Sequence, residues 1–311
     1  MSLRSSRPIT VDAVYRGVLF AAATCVFLVV ALIVYETAKG AEMSIRAFGW
    51  SFLTSAEWNP VTGRFGAVPY IYGTLVTSAI ALLLAVPIGI GSSIFLAELA
   101  HRHVGGAVSF VMELLAAIPS IVYGIWGFFV LAPFLRVHIE PWLIQNFGYL
   151  QIFSGAPFGI GILNAGIILA IMVIPTIISI SREVLIATPR SFREASLALG
   201  ATRSEAIAVV LDAARPGILG SIILALGRAL GETMAVTMVI GNTNRITGSI
   251  LSPGATMASI IANEFTEATE ALYLSALVEI ALVLFAITIV VNALARIPVR
   301  WATGGRREIT G

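Results

Sequence analysis

The chain has 311 residues, 58% of them hydrophobic and only 12% charged, with a formal net charge of +2 and a mean hydropathy of +0.95. A water-soluble domain of this size is excluded by that balance, and an outer-membrane barrel is excluded because the apolar stretches are long and unbroken rather than short and alternating. One cysteine, Cys25, excludes an intrachain disulfide and a Cys-based metal site, so the expected fold class is an all-α integral membrane protein.

The N-terminal segment, residues 1–16, carries Arg4, Arg7 and Arg16 ahead of an apolar run at 17–36. That run is longer than the apolar region of a signal peptide and reads as an uncleaved first span, with Cys25 packed in its middle. An external amphipathic loop extends to residue 68, holding Phe48, Trp50, Phe52 and Trp58. Such aromatics settle at headgroup level or touch an external partner, and both readings are open. A five-helix core follows over 69–296, with spans at 69–97, 108–133, 158–180, 217–241 and 273–296. The tail, 297–311, is short and basic.

Six spans place both termini on one side. With the termini inside, thirteen Arg residues fall in inside segments (4, 7, 16, 102, 182, 190, 193, 203, 215, 296, 300, 306 and 307). Only Lys39, Arg46, Arg64, Arg136 and Arg245 fall outside, so the positive-inside rule puts both ends in the cytoplasm of a multi-pass bacterial inner-membrane protein. Pro87, Pro119, Pro133 and Pro175 lie within or at the ends of spans, as hinges or as kinked packing. Glu98 and Arg102 read as solvated charges at a span end, and Glu113 as an interfacial carboxylate. The His101-x-His103 pair lacks a third ligand, so no metal site or cofactor is expected.

Between the fourth and fifth spans lies the longest cytoplasmic connection, at about 189–216. Ser191 and Glu194 have capping-box spacing for a short helix, and Gly200 supplies its left-handed terminus. Thr202 or Ser204 can cap a second short helix, with Pro216 starting the fifth span. The expected product is a helix hairpin on the membrane surface. It can lie at the interface as an amphipathic element, or serve as a rigid knob for a separate ATPase. Lys39 is the only lysine and sits in an outside loop, so a P-loop of the GxxxxGK[ST] kind is impossible and the chain is not itself an ATPase of that type.

The run EASLALG resembles the opening of the EAA loop of bacterial ABC importer permeases. The resemblance implies ATPase coupling through Glu194, Ala195, Ser196, Leu199, Gly200 and Ala201. Ser196 stands where that family prefers alanine. The second half, AVVLDAARPG, is one residue short, with Asp212 where a proline is expected. Five further stretches are similar to the PstC-type permease family of phosphate importers: SAEWNPVTGRFGAVPYIYGTLVTSAIALLLAVPIGIG, ELLAAIPSIVYGIWGFF, PFGIGILNAGIILAIMVIPTIISISREVL, GRALGETMAVTMVIGN and PGATMASIIANEFTEA. This implies a type I ABC importer permease forming half of a phosphate pathway. Its implied partners are a PstA-type permease, a dimer of PstB-type ATPase subunits and an external phosphate-binding protein. Another oxyanion (sulfate, molybdate or phosphonate) and a proton-coupled secondary carrier are the alternatives.

Arg228 and Glu232 fall inside the fifth span at i, i+4 spacing, where a charge must pair or line a pathway. Two readings are open: a salt bridge that sets helix register, or part of an anion path in which Glu232 holds the Arg228 fork until phosphate arrives. Gly227 and Gly231 form a small-xxx-small step for close packing of a neighbouring helix. Glu279, two turns into the sixth span, is a further pathway or interhelix candidate.

Overall fold

The computed structural model describes residues 9–297. Arg4 and Arg7, and the tail residues Arg300, Arg306 and Arg307, lie outside the described residues. Among those described, six helices are long and apolar enough to cross a membrane. In chain order the helices are α1 (Ile9–Gly40), α2 (Glu42–Phe48), α3 (Val68–Leu99), α4 (Arg102–Ala117), α5 (Ser120–Phe147), α6 (Ile162–Ala187), α7 (Arg190–Ala198), α8 (Arg203–Gly231), α9 (Met234–Val239), α10 (Met257–Glu264) and α11 (Ala271–Ala295).

The centre of the bundle is α6. Its apolar run is 67% buried, whereas those of α3, α5, α8 and α11 are 22–28% buried, so the other helices are arranged around it. Ala81 and Ala85 of α3, Ile168, Met172 and Ile177 of α6, Ala225 and Ala229 of α8, and Val236 and Val239 of α9 make one continuous core. Small residues let α3 and α6 approach. A Cβ added at Gly89 would lie 2.6 Å from Ile177 Cγ2, and one at Gly166 would lie 2.5 Å from Ile80 Cγ2. Both are below any ordinary carbon contact. The first span is peripheral. The apolar run of α1 is exposed along its length, and Cys25 is exposed rather than packed. Where α1 ends it is fastened to α11, with Ser275 Oγ donating to the Gly40 carbonyl at 2.8 Å and the Ser44 N–H donating to Ser275 Oγ at 3.0 Å.

Three features differ from the sequence expectation. The third apolar run does not form one helix over 108–133. Pro119 forces extended backbone on Ile118 (φ −65°, ψ 130°), so α4 stops at Ala117 and the span starts at Ser120. The helix that carries the fifth span begins 14 residues before the expected start of the span. Pro216 lies inside α8 instead of opening it, and the second arm of the hairpin is the first part of that long helix. At its far end α8 stops at Gly231, because Glu232 is extended (φ −67°, ψ 126°), and the short helix α9 follows.

The external aromatics divide into two groups. Trp50 is exposed. Phe52 and Trp58 are buried in a cap with Phe65, Tyr70 and Tyr273, where Phe65 and Tyr273 stack at 5.4 Å and Trp58 meets Tyr70 edge-on at 5.0 Å. Glu264 closes the cap: its Oε2 accepts from Trp58 Nε1 at 2.7 Å and from the Tyr273 hydroxyl at 2.5 Å. One carboxylate thus satisfies the polar edges of two of the buried rings, while the Tyr70 hydroxyl is buried without a partner among the described residues.

Candidate functional site

Most of the expected site residues gather at two places toward opposite ends of α8. At its start is the α7–α8 turn. The helix α7 begins at Arg190, directly after Pro189, so Ser191 is in the first turn and does not cap it. The other end matches the sequence pattern. Gly200 is left-handed (φ +85°), and the Gly200 and Ala201 N–H groups donate to the carbonyls of Leu197 and Ser196 at 3.0 and 3.1 Å. That pair of bonds is the Schellman arrangement, which needs a residue without a Cβ penalty at Gly200. Thr202 then caps α8: its hydroxyl accepts from the Glu205 N–H, while Glu205 Oε2 accepts from the Thr202 N–H at 2.7 Å.

None of the nine residues of α7 is buried. Leu199 is 89% exposed, and Leu197 and Phe192 also face outward. Arg193 alone reaches back into the body of the protein. Its guanidinium grips the Glu98 carboxylate with two nitrogens, Nε to Oε2 at 3.1 Å and Nη2 to Oε1. The same group donates to the carbonyls of Thr188 and Leu185 at 3.1 and 3.0 Å, at the end of α6. Arg203 Nη2 adds a bond to the Glu98 backbone carbonyl at 3.0 Å. The bonded carboxylate raises the Arg193 pKa above its ordinary value. Glu98 is therefore no solvated end charge: its side chain is 9% exposed and is paired with Arg193, 95 residues away in sequence. A cleft of about 310 Å³ lined by Ala97, Ile186, Arg190, Arg193 and Glu194 opens beside this node.

The second place is the end of α8. Arg228 lies in its last turn, half-buried. Sequence spacing puts Glu232 one turn further along the same face, but the helix has ended by then. The extended backbone at Glu232 turns its carboxylate toward α9, where Oε1 accepts from the Ala235 N–H at 3.3 Å. No salt bridge joins Arg228 to Glu232, and among the described residues Arg228 has no carboxylate within ion-pair distance. The Tyr123 hydroxyl, in the first turn of α5, donates to the Leu115 carbonyl at 2.8 Å. From Pro216, after the last charged residue before this run, α8 extends 16 residues to Gly231, or roughly 24 Å, short of the roughly 30 Å hydrocarbon core of a bilayer. A broken helix at that depth persists where its freed backbone groups line a cavity or meet protein.

The remaining candidates are elsewhere. Glu279 is buried in α11 against Ser44 of α2, at the joint that fastens α1. Asn292, whose amide would lie 3.9 Å from a Cβ added at Gly227, is 13 residues further along α11 than Glu279, about 20 Å by helical rise, so Glu279 and Arg228 stand at different levels. Gly231 has open space where a Cβ would be, so of the small-xxx-small step only Gly227 meets a neighbouring helix, α11, among the described residues. Glu113 is exposed on α4, outside the spans.

Comparison with known proteins covers nearly all of these features. The family profile described as "Binding-protein-dependent transport system inner membrane component" matches residues 85–303, which include Glu98, α7, α8 and Glu232. The chain is 48% identical over 306 residues to the "Phosphate transport system permease protein PstC" of Mesorhizobium japonicum, covering 95% of this chain and 94% of that protein. It is 47% identical to the protein of that name from Haemophilus influenzae, covering 88% and 89%. It is 38% identical to the "Probable phosphate transport system permease protein PstC" of Methanocaldococcus jannaschii, covering 86% and 87%. Among solved structures, a chain from inward-facing conformations of the MetNI methionine ABC transporter superposes with a TM-score of 0.55 at 19% identity, covering 78% of this chain and 95% of that one.

Proposed function

This chain belongs to the family of binding-protein-dependent transport system inner membrane components, and we propose that it forms half of the transmembrane pathway of an ATP-driven importer of inorganic phosphate. As a membrane subunit of that family it is non-catalytic, with ATP hydrolysis on a separate chain. Its partners in this reading are a PstA-type permease beside it, two PstB-type ATPase subunits on the α7 side and a phosphate-binding protein on the side of the aromatic cap. Both termini and α7 are cytoplasmic, in keeping with the arginine distribution. Dependence on a binding protein displaces the proton-coupled carrier.

The observation that carries the phosphate reading is the Arg228 guanidinium, which lies within the fifth span at a helix break with no carboxylate partner among the described residues. A charge left unpaired at that depth is costly, and an arriving oxyanion with a planar fork of donors to bind removes the cost. In this reading Glu232, held at the start of α9, accepts a hydrogen bond from the hydroxyl of a protonated phosphate, which fully ionised sulfate cannot donate. Coupling to the ATPase runs through the exposed face of α7 and its turn, with Glu194, Ala195, Ser196, Leu199, Gly200 and Ala201 at the contact.

The test is phosphate uptake into vesicles holding the complete complex and its binding protein. Uptake is expected to require ATP and to persist with a protonophore present. It is expected to be lost in Arg228→Gln while the complex still assembles and hydrolyses ATP. Normal uptake by Arg228→Gln would overturn the role given to this residue.

A further inference from the structure

The helix α7 sits between α6 and α8 in the chain, so any force on it reaches those two helices through the backbone. No such connection exists to α3. Among the described residues, the Glu98 carboxylate bound by Arg193 is the hydrogen-bonded tie between α7 and α3. We propose that Glu98 and Arg193 form the bracket through which motion of α7 is passed to α3, making both positioning residues for the transport cycle. This rests on the reading of α7 as the ATPase contact and adds the route by which that contact moves the spans.

The local chemistry suits a bracket. The last turn of α3, Phe95–Leu99, is a widened π-type turn, with the Ala100 N–H reaching the Phe95 carbonyl at 2.7 Å. Such turns are poorly stabilised by their own backbone bonds and recur where a helix must deform. Here the turn is held from two directions, by Arg193 on the Glu98 carboxylate and by Arg203 on its carbonyl. Arg193 also takes up two carbonyls at the end of α6, which a helix terminus leaves without intrahelical partners. One guanidinium thus joins α3, α6 and α7, and Arg203 brings in α8. A planar five-donor group can satisfy four acceptors in fixed directions, and a lysine ammonium cannot. With Arg193 side-chain exposure at 24% and Glu98 at 9%, the pair is shielded enough to hold under load and close enough to the surface to be assembled without a large desolvation cost.

If the bracket is broken, the ATPase should still bind α7 and still hydrolyse ATP, but the end of α3 should no longer follow. The measurement is phosphate taken up per ATP hydrolysed by the complete complex in vesicles, with the amount of ATPase retained by the complex and its melting temperature as companions. Glu98→Gln keeps the side chain's shape and removes its charge; Arg193→Lys keeps a charge and removes the fork. Uptake per ATP is expected to fall at least tenfold in both, with the ATPase retained. Uptake per ATP at the wild-type value in Glu98→Gln, including the case where less complex assembles but each copy is fully coupled, would overturn the bracket. Loss of the ATPase from Glu98→Gln would also overturn it, showing that the pair builds the docking surface instead. A separate variant, Leu199→Asp, reports on the underlying reading: if the ATPase stays bound in that variant, α7 is not its contact, whatever the bracket variants do.

Discussion

The two ends of α8 handle an arginine in opposite ways. Near its start, Arg193 has a carboxylate and two carbonyls, and the neighbouring Arg203 has a further carbonyl. Near its end, Arg228 has no carboxylate partner among the described residues, because the helix stops one residue before the glutamate that would have paired with it. The contrast separates two uses of charge in a membrane protein. A fully bonded charge fixes the elements it joins, whereas an unbonded one leaves hydrogen-bonding capacity open.

The largest effect expected from breaking this contrast is in Arg228→Gln, with phosphate uptake lowered roughly 100-fold or more, since two charge-assisted hydrogen bonds to an oxyanion are lost. Radiolabelled phosphate accumulation in vesicles checks it. Glu232→Gln sharpens the same end. Uptake is expected to fall about tenfold, the loss of one such bond, and discrimination against sulfate should weaken in competition assays.

At the other end, Leu199→Asp should lower ATPase retention by the purified membrane complex about tenfold, while leaving the fold intact because the side chain is exposed. The aromatic cap offers a carboxylate bonded to two rings away from both ends: Glu264→Gln is expected to lose about 1–3 kcal/mol, since a neutral amide oxygen accepts from Trp58 and Tyr273 more weakly than the charged carboxylate oxygen. Thermal unfolding in detergent would show it. The smallest effect belongs to Thr202→Ala, about 1 kcal/mol from the lost cap, with uptake per ATP unaltered.

Local features were legible in the sequence. The left-handed Gly200, the Thr202 cap and the apolar cores of the spans follow from residue types within a few positions of one another. Pro119 was visible as a break, yet the apolar residues on both sides of it hid the change from α4 to the third span. Pro216 misled in the opposite direction, since a proline can be carried inside a helix when the surrounding packing supports it. The i, i+4 spacing of Arg228 and Glu232 promised a pair because spacing assumes that the helix continues, and the residues GET carry no proline to signal that it does not.

Composition and the long apolar runs by themselves determined that this chain is an all-helical membrane protein with six spans. The absence of a second lysine determined that it carries no P-loop. Which charges meet was decided only in three dimensions. Glu98 and Arg193 are 95 residues apart, and each looks like an ordinary span-end charge until α3 and α6 pack through Gly89 and Gly166 and bring their ends together. Hydrophobic burial follows from what each residue is, so a sequence displays it; charge pairing depends on where helices start, stop and cross, and that is settled by the packing of the whole bundle.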